Sequence, residues 1–353
     1  MSLQEHRKAI DQLDAKIVAL LNERTQHVLE IGAIKLKAGE EIYAPHRERA
    51  VHERLARLNK GPITSESLRA IYREVMSSAL SLEKTLTIAY LGPEATYTHQ
   101  AAIRRFGTSL NYAAQKTIGD VFTEVAKNTA DYGVVPIENS TEGVVNHTLD
   151  MFVESDLKIV AQIVMPIQHC LMSRGTRTQI KKLYTHPQAF AQCRAWVQRH
   201  LPNAEIVETS STTRAAELAA KDRRSAAIAG ALAAERYRLN ILESDIQDSA
   251  VNATRFLVLG RKCAPPTGED RTSLMFSIHH HVGALHQALA PFRRAKLNMT
   301  KIESRPSRRK AWEYFFFVDC EGHSEDPRVA RAITAVGKHC TSVKVLGSYP
   351  NSD

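Results

Sequence analysis

No apolar run in this 353-residue chain approaches the ~20 residues that a bilayer core requires, which argues against a membrane-spanning helix. The N-terminus, Met1-Ser2-Leu3-Gln4-Glu5-His6-Arg7, lacks the apolar stretch of a signal peptide, so a cytoplasmic protein is expected. Cysteine is scarce: Cys170, Cys193, Cys263, Cys320 and Cys340 are odd in number, scattered and free of any C-x-x-C pair. That argues against disulfides and against a zinc site, and for reduced thiols. Nucleic-acid motifs are missing as well. The net charge of +9 comes from dispersed groups such as Lys181-Lys182, Arg223-Arg224 and Arg308-Arg309-Lys310, with no interleaved aromatics. A positive field of this kind suits small anionic substrates, and no nucleic-acid partner is expected. What the chain does have is 43% hydrophobic residues, enough for the cores of two or three domains.

Proline is absent from Leu3 to Ala38, and Gly32 is the single glycine there. Ile10, Leu13, Ile17, Leu20, Leu21, Val28, Ile31 and Ile34 recur at helical spacing. The resulting helix is about 54 Å long and cannot bury its stripe alone. Two shorter helices are expected, roughly 45–58 and 64–84, parted by Asn59-Lys60-Gly61-Pro62. An intertwined helical dimer is the economical solution. Charges interrupt the stripe: Arg24 continues the column Ile10, Ile17, Ile31, and Lys35 continues Leu21, Val28. At about 100° per residue the two differ by only about 20° in direction. Cations facing a helical interior are costly unless an anion meets them. Arg7 lies about 25 Å from Arg24 along the axis, so it reaches the same pocket only from an antiparallel partner.

Residues 1–85, all-α, resemble the chorismate mutase domain fused to bacterial prephenate dehydratases. The resemblance implies that Arg24 and the partner chain's Arg7 bind the two carboxylates of chorismate. Lys35 would donate to the ether oxygen, and Arg47 and Glu48 would complete the pocket, Glu48 near the ring hydroxyl. Two positions depart from the family pattern: Glu83 stands where a glutamine usually makes the second ether contact, and Ala79 where a serine lines the pocket. The rearrangement needs no nucleophile. Charge gathers on the ether oxygen as C–O breaks and C–C forms, and fixed donors in a dry pocket stabilise it.

After Lys84 the periodicity changes. Buried strands at 86–91, 132–135 and 226–229 alternate with loops rich in hydroxyls and amides and with helices, which implies parallel α/β sheets whose ligands gather at strand carboxyl ends. Helix starts carrying Ser, Thr and free N–H groups make an anion site. Residues 86–264 resemble prephenate dehydratase along their whole length. The resemblance rests on Gly-Pro-Glu-Ala-Thr-Tyr-Thr (92–98), Val-Pro-Ile-Glu-Asn-Ser-Thr-Glu-Gly (135–143), His-Pro-Gln (186–188) with Gln192-Cys193, and Asn-Ala-Thr-Arg-Phe (252–256). It implies a two-lobed α/β fold like that of periplasmic binding proteins, with no cofactor. Thr254 would be the essential hydroxyl beside the leaving group. Thr96, Asn139, Ser140, Thr185, Gln192 and Arg255 would hold prephenate, and Glu138 would order their loop. An unaided threonine is a poor acid, so a relay must supply its proton.

A turn-rich linker at 265–270 precedes a strand–helix–strand–strand–helix–strand order over 272–349, the α+β ferredoxin-like arrangement. Gly283-Ala284-Leu285-His286 and Glu303-Ser304-Arg305-Pro306 resemble the phenylalanine-binding motifs of ACT domains, with Asn298 at a further ligand-contacting position. His279-His280-His281 holds no metal on this reading, because consecutive strand residues point to opposite faces. The whole chain thus resembles a two-activity enzyme that turns chorismate into prephenate and prephenate into phenylpyruvate, controlled by phenylalanine. Two alternatives stand beside it. One is a non-catalytic two-lobed anion-binding protein, against which Thr254 speaks. The other is an arogenate-preferring dehydratase, against which the fused mutase speaks.

Overall fold

The computed structural model describes residues 2–39, 41–249, 251–307 and 313–351. The basic run Arg308-Arg309-Lys310 lies outside the described residues. Contacts divide the chain into two compact units, Met1–Thr87 with Arg105–Asn111, and Ile88–Arg104 with Tyr112–Asp353.

The first unit is built on α1 (Leu3–Ala38), α2 (Pro45–Leu58) and α3 (Ser65–Glu83). A capping box opens α1: Ser2 Oγ accepts from the Glu5 N–H, and the Glu5 carboxylate accepts from the Ser2 N–H. Gly39, at φ +67°, closes it in the left-handed conformation that a side chain resists. Pro45 starts α2, where its missing N–H costs nothing, and the Thr64 hydroxyl caps α3. The apolar stripe of α1 stays open in the single chain: Ile10, Leu13, Ile17 and Leu20 are 54%, 55%, 53% and 63% exposed.

The second unit holds three sheets. The first lobe comprises β1 (Thr87–Leu91), α4 (Tyr97–Phe106), β2 (Asn111–Gln115), α5 (Ile118–Ala126), β3 (Tyr132–Asn139), β4 (Gly143–Val144), α6 (Asn146–Glu154) and β5 (Lys158–Pro166). The chain then crosses to a second lobe of β6 (Cys170–Ser173), β7 (Lys182–Thr185), α7 (Pro187–Gln192), α8 (Arg194–His200), β8 (Glu205–Glu208), α9 (Thr212–Ala219), β9 (Ser225–Ala229), α10 (Ala231–Tyr237) and β10 (Asn240–Glu243). It returns through β11 (Ala253–Gly260), which inserts between β3 and β5 to give the order β2-β1-β3-β11-β5; the second lobe runs β10-β6-β9-β7-β8.

These sheets are mixed, where the alternation of strands and helices predicts parallel ones. β1 and β3 are parallel, as are β7, β8 and β9, but β11 is antiparallel to β3 and β5, and β6 to β9 and β10. The antiparallel strands carry the chain between lobes and do not double back through a crossover helix.

The third sheet comprises β12 (Asp270–Ile278), α11 (Ala284–Arg294), β13 (Met299–Pro306), β14 (Tyr314–Glu321), α12 (Pro327–Gly337) and β15 (Cys340–Pro350), ordered β13-β14-β12-β15 as a ferredoxin-like sheet requires. Strand alternation gives this sheet two buried faces. Leu274, Phe276, Val318 and Cys320 pack on Ala288, Phe292 and Val329 from α11 and α12. Met275, Phe315, Phe317 and Tyr349 join one continuous core with Val121, Phe122 and Phe152 of the first lobe. Gly347 makes that docking close: a Cβ there would sit 2.2 Å from the Ile159 carbonyl oxygen.

Candidate active sites

In the helical unit, α1 and α3 bring Lys35 and Glu83 together. Glu83 lies across Gly32, whose absent side chain makes room: a Cβ there would come within 2.7 Å of Glu83 Oε2. Burial raises the Glu83 carboxyl above its ordinary range, with Lys35 pulling the other way. Lys35 Nζ donates to the Ile42 carbonyl at 3.0 Å. Half-buried Arg24 turns an inaccessible Nη1 inward that has no hydrogen-bond partner among the described residues. A buried guanidinium nitrogen is ordinarily hydrogen-bonded, and a carboxylate is the partner it pairs with most strongly. Ala79 is buried on α3. Arg47 and Arg7 are exposed, and Arg7 and Arg24 stand seventeen residues apart on the one continuous helix α1.

Glu48 has a partner from outside the three helices. Its carboxylate pairs with Arg105 at 3.1 Å, and Arg105 Nε donates to the Tyr43 hydroxyl at 2.6 Å. Burial pushes Glu48 up, and the Arg105 charge opposes it. Arg105 gives no signal in the sequence, since it lies in α4, beyond the helical segment, and only contacts group it with α1–α3.

In the two-lobed region, β3 and β11 place Asn139 opposite Thr254. Asn139 Oδ1 accepts from the Thr141 N–H at 2.9 Å, the Glu142 N–H at 3.1 Å and the Thr141 hydroxyl at 2.6 Å. Backbone donors therefore fix the orientation of this amide. Its Nδ2 must face the other way, and it donates to Thr254 Oγ1 at 2.8 Å and to Asn252 Oδ1 at 3.0 Å. Because Thr254 accepts from Asn139, its own hydrogen is free to point elsewhere.

The chain of bonds continues across the lobes. Asn252 Nδ2 donates to Gln192 Oε1 at 2.8 Å, while Gln192 Nε2 donates to Thr141 Oγ1 at 3.0 Å. Gln192 Oε1 also lies 2.8 Å from His169 Nε2, which must carry the hydrogen. Nδ1 of that ring lies 2.8 Å from the Tyr97 hydroxyl. Burial lowers the His169 pKa, with the Gln192 bond opposing, so the ring is neutral near pH 7. This network orients Thr254; being built of amides and a neutral imidazole, it is no proton reservoir. His169 and Asn252 went unassigned in the sequence because their roles depend on contacts between lobes.

Ser140 pins the same loop, donating to the Val251 carbonyl at 2.8 Å and accepting from the Ala253 N–H at 3.0 Å. Thr96 donates to the Leu91 carbonyl at 3.2 Å, and fully buried Thr185 to the His186 carbonyl at 3.2 Å. Neither hydroxyl joins the Thr254 network.

Arg255 and Glu138 do not join it either: Arg255, expected to hold prephenate, points away from the network, while Glu138 anchors the strand beside Asn139. Strand alternation sends both to the face opposite Thr254 and Asn139. There Arg255 binds Glu138 at 3.0 Å, Asp319 at 2.7 Å and the Tyr349 hydroxyl at 2.7 Å. Lys301 Nζ closes on the other Glu138 oxygen. Burial alone would raise Glu138; the Lys301 and Arg255 contacts outweigh it and hold the carboxyl below its ordinary range.

In the third sheet, Gly283 takes φ +79° as it opens α11. Gly283, Ala284, Leu285 and His286 line a cavity of about 240 Å³ with His279, His280, His281, Tyr314 and Phe316. The second motif lies one strand away: Ser304 pairs with Phe316 and Pro306 with Tyr314 in register, both exposed. Arg305 turns from the cavity and clasps Asp150 on α6 with Nη2 at 2.8 and 2.9 Å, and half-buried Glu303 shares its face. Exposed Asn298 donates to Glu321 at 3.0 Å.

Family profiles match all three regions: chorismate mutase type II over residues 6–84, prephenate dehydratase over 88–264 and the ACT domain over 272–338. A bifunctional chorismate mutase/prephenate dehydratase of Aquifex aeolicus is 50% identical over 99% of this chain and 98% of its own. One from Neisseria gonorrhoeae is 46% identical over 98% and 96%. The crystal structure of prephenate dehydratase from Arthrobacter aurescens in complex with L-Phe is 35% identical, with a TM-score of 0.71 over 75% of this chain and 90% of that one. Matched in both catalytic modules and along nearly its whole length, the chain belongs to the bifunctional chorismate mutase/prephenate dehydratase family.

Proposed function

We propose that the helical module (residues 1–85) rearranges chorismate to prephenate and that the two-lobed module (86–264) converts prephenate to phenylpyruvate in the cytoplasm. The third module (272–349) binds phenylalanine and feeds back on the second. For the mutase step, the open Nη1 of Arg24 takes a substrate carboxylate, and Lys35 and protonated Glu83 donate to the ether oxygen as charge gathers there. The partner chain's Arg7 supplies the second carboxylate contact, and Arg47 and Glu48 complete the pocket. The exposed stripe of α1 supports this dimer, since apolar surface of that extent needs a covering partner. Sedimentation showing a fully active monomer at assay concentration would dismiss it.

In the dehydratase step, the bond to the ring carboxylate breaks and its electron pair enters the ring. The ring hydroxyl departs as water with one added proton, and the carboxylate leaves as carbon dioxide. Thr254 meets the departing oxygen. Asn139 occupies the acceptor side of the threonine hydroxyl, so its hydrogen can face the leaving group. That bond is the observation that carries the reading, because it leaves the threonine hydrogen free to meet a departing hydroxide. Solvent must restore the proton, as the amide network cannot.

Purified protein given chorismate, with prephenate and phenylpyruvate followed in time with and without phenylalanine, tests all three parts. Prephenate should appear first, phenylpyruvate next, and phenylalanine should slow the second step. Chorismate left unconsumed, or prephenate left standing, would refute the corresponding module.

A further inference from the structure

Two adjacent strands of the dehydratase site, β3 and β11, present Asn139 and Thr254 to the cleft and Glu138 and Arg255 to the opposite face. That opposite face plugs into the regulatory sheet, and every strand of the sheet contributes. Ser273 of β12 and Tyr349 of β15 hydrogen-bond each other, Asp319 of β14 holds Arg255, and Lys301 of β13 holds Glu138. Both arginine and lysine are nearly buried, at 8% and 14% exposure, so their charges are met by Glu138 and Asp319 rather than by water. Buried ion pairs of this kind are poor sources of stability and good setters of register.

We infer that Lys301, contributed by the regulatory module, is a positioning residue of the dehydratase site and the point through which β13 reaches it. Lys301 fixes Glu138, whose neighbour Asn139 orients the Thr254 hydroxyl. β13 is two-sided. Its outward face carries Ser304 and Pro306 beside the Phe316 and Tyr314 of the 240 Å³ cavity, while its inward face carries Lys301 and Arg305, both bonded to the first lobe. A ligand that shifts β13 from the outward side therefore moves Lys301 against Glu138, and the shift arrives one residue from Asn139. The regulatory half of this inference rests on phenylalanine binding at that cavity; the positioning half does not.

The test uses full-length Lys301→Met and Lys301→Arg, with circular dichroism and thermal melting as controls of folding and mutase turnover as a control of the other unit. Lys301→Met should keep its mutase activity and lose at least tenfold in dehydratase kcat, with KM changed far less. Lys301→Arg should recover most of that loss, and phenylalanine inhibition of Lys301→Met should weaken at least fivefold. The double variant Lys301→Met with Glu138→Gln leaves no lysine or glutamate charge stranded at this pair and protects folding. Its kcat should stay depressed, by no more than the single change alone. Wild-type kcat in Lys301→Met, or its return in the double variant, would reduce the pair to a packing contact and overturn the inference. If wild-type enzyme ignores phenylalanine, the regulatory reading fails while the kcat comparison still decides the positioning.

Discussion

Glu83 is held between burial, which favours its neutral form, and Lys35, which favours the charged one; burial wins. A free glutamate gives up its proton near about 4.3, so Glu83 keeps its proton to a higher pH than that. In the proposed role it donates to the ether oxygen only when protonated; ionised, it would repel the charge developing there. Mutase activity should therefore be highest in acid and fall as pH rises through the Glu83 pKa, and Glu83→Gln, a permanent donor, should flatten the fall. A wild-type profile flat from weakly acidic to alkaline pH would remove Glu83 from this role. Asn139 gives a second test at the same scale. In Asn139→Asp a carboxylate replaces the Nδ2 donor and attracts the Thr254 hydrogen away from the cleft. Dehydratase kcat should drop on the order of 10²-fold or more, the usual cost of one misdirected donor. Circular dichroism and mutase turnover should stay near wild type; unchanged dehydratase kcat would break the proposed link between Asn139 and the threonine.

Elements were legible where their signals are local. Absence of proline and the helical spacing of apolar residues mark α1, and the strand–helix order of the third module is written in its alternation. The antiparallel insertion of β11 was not legible, because its partners β3 and β5 lie about a hundred residues earlier. Nor were Arg105, His169 and Lys301, each recruited from a distant segment. Arg255 was legible in principle: it follows Thr254 on a strand, and a period of two sends it to the other face. Gly32 offers an element-scale prediction that separates helix stability from site geometry. Gly32→Ala should favour α1 by up to about 1 kcal/mol through helix propensity. Its methyl would nevertheless fall 2.7 Å from Glu83 Oε2 and 3.0 Å from Glu83 Cγ, so the carboxyl must leave its place beside Lys35. The expected result is a melting temperature at or above wild type with mutase activity reduced at least tenfold and dehydratase activity kept. Full mutase activity in a stably folded variant would show that this placement of Glu83 is dispensable.

At the scale of the whole molecule the proposed mutase residues Arg24, Lys35 and Glu83 all lie in one compact unit, and Thr254, Asn139 and Gln192 in the other. No side chain is shared between the two sets, which predicts two activities that fail independently. Arg24→Ala removes the guanidinium whose buried Nη1 has no hydrogen-bond partner among the described residues and is proposed to take a substrate carboxylate. A charge-assisted bond in a dry pocket is worth about 1.5–3 kcal/mol, so chorismate turnover should fall by roughly 10–150-fold. Supplied prephenate should still be dehydrated within about twofold of the wild-type rate, because Thr254 and its amide network are untouched. Thr254→Ala should do the reverse: chorismate is consumed at the wild-type rate and prephenate accumulates in the medium in equal amount. That accumulation also bears on passage between modules. If prephenate had to stay bound while moving from one site to the other, blocking the second would stall the first. Mixing the two variants is the decisive step, since free exchange of prephenate lets Thr254→Ala feed Arg24→Ala and restores phenylpyruvate from chorismate. Loss of both activities from either single change in folded protein would break the two-site account, and a mixture that makes no phenylpyruvate would show that prephenate does not travel freely between them.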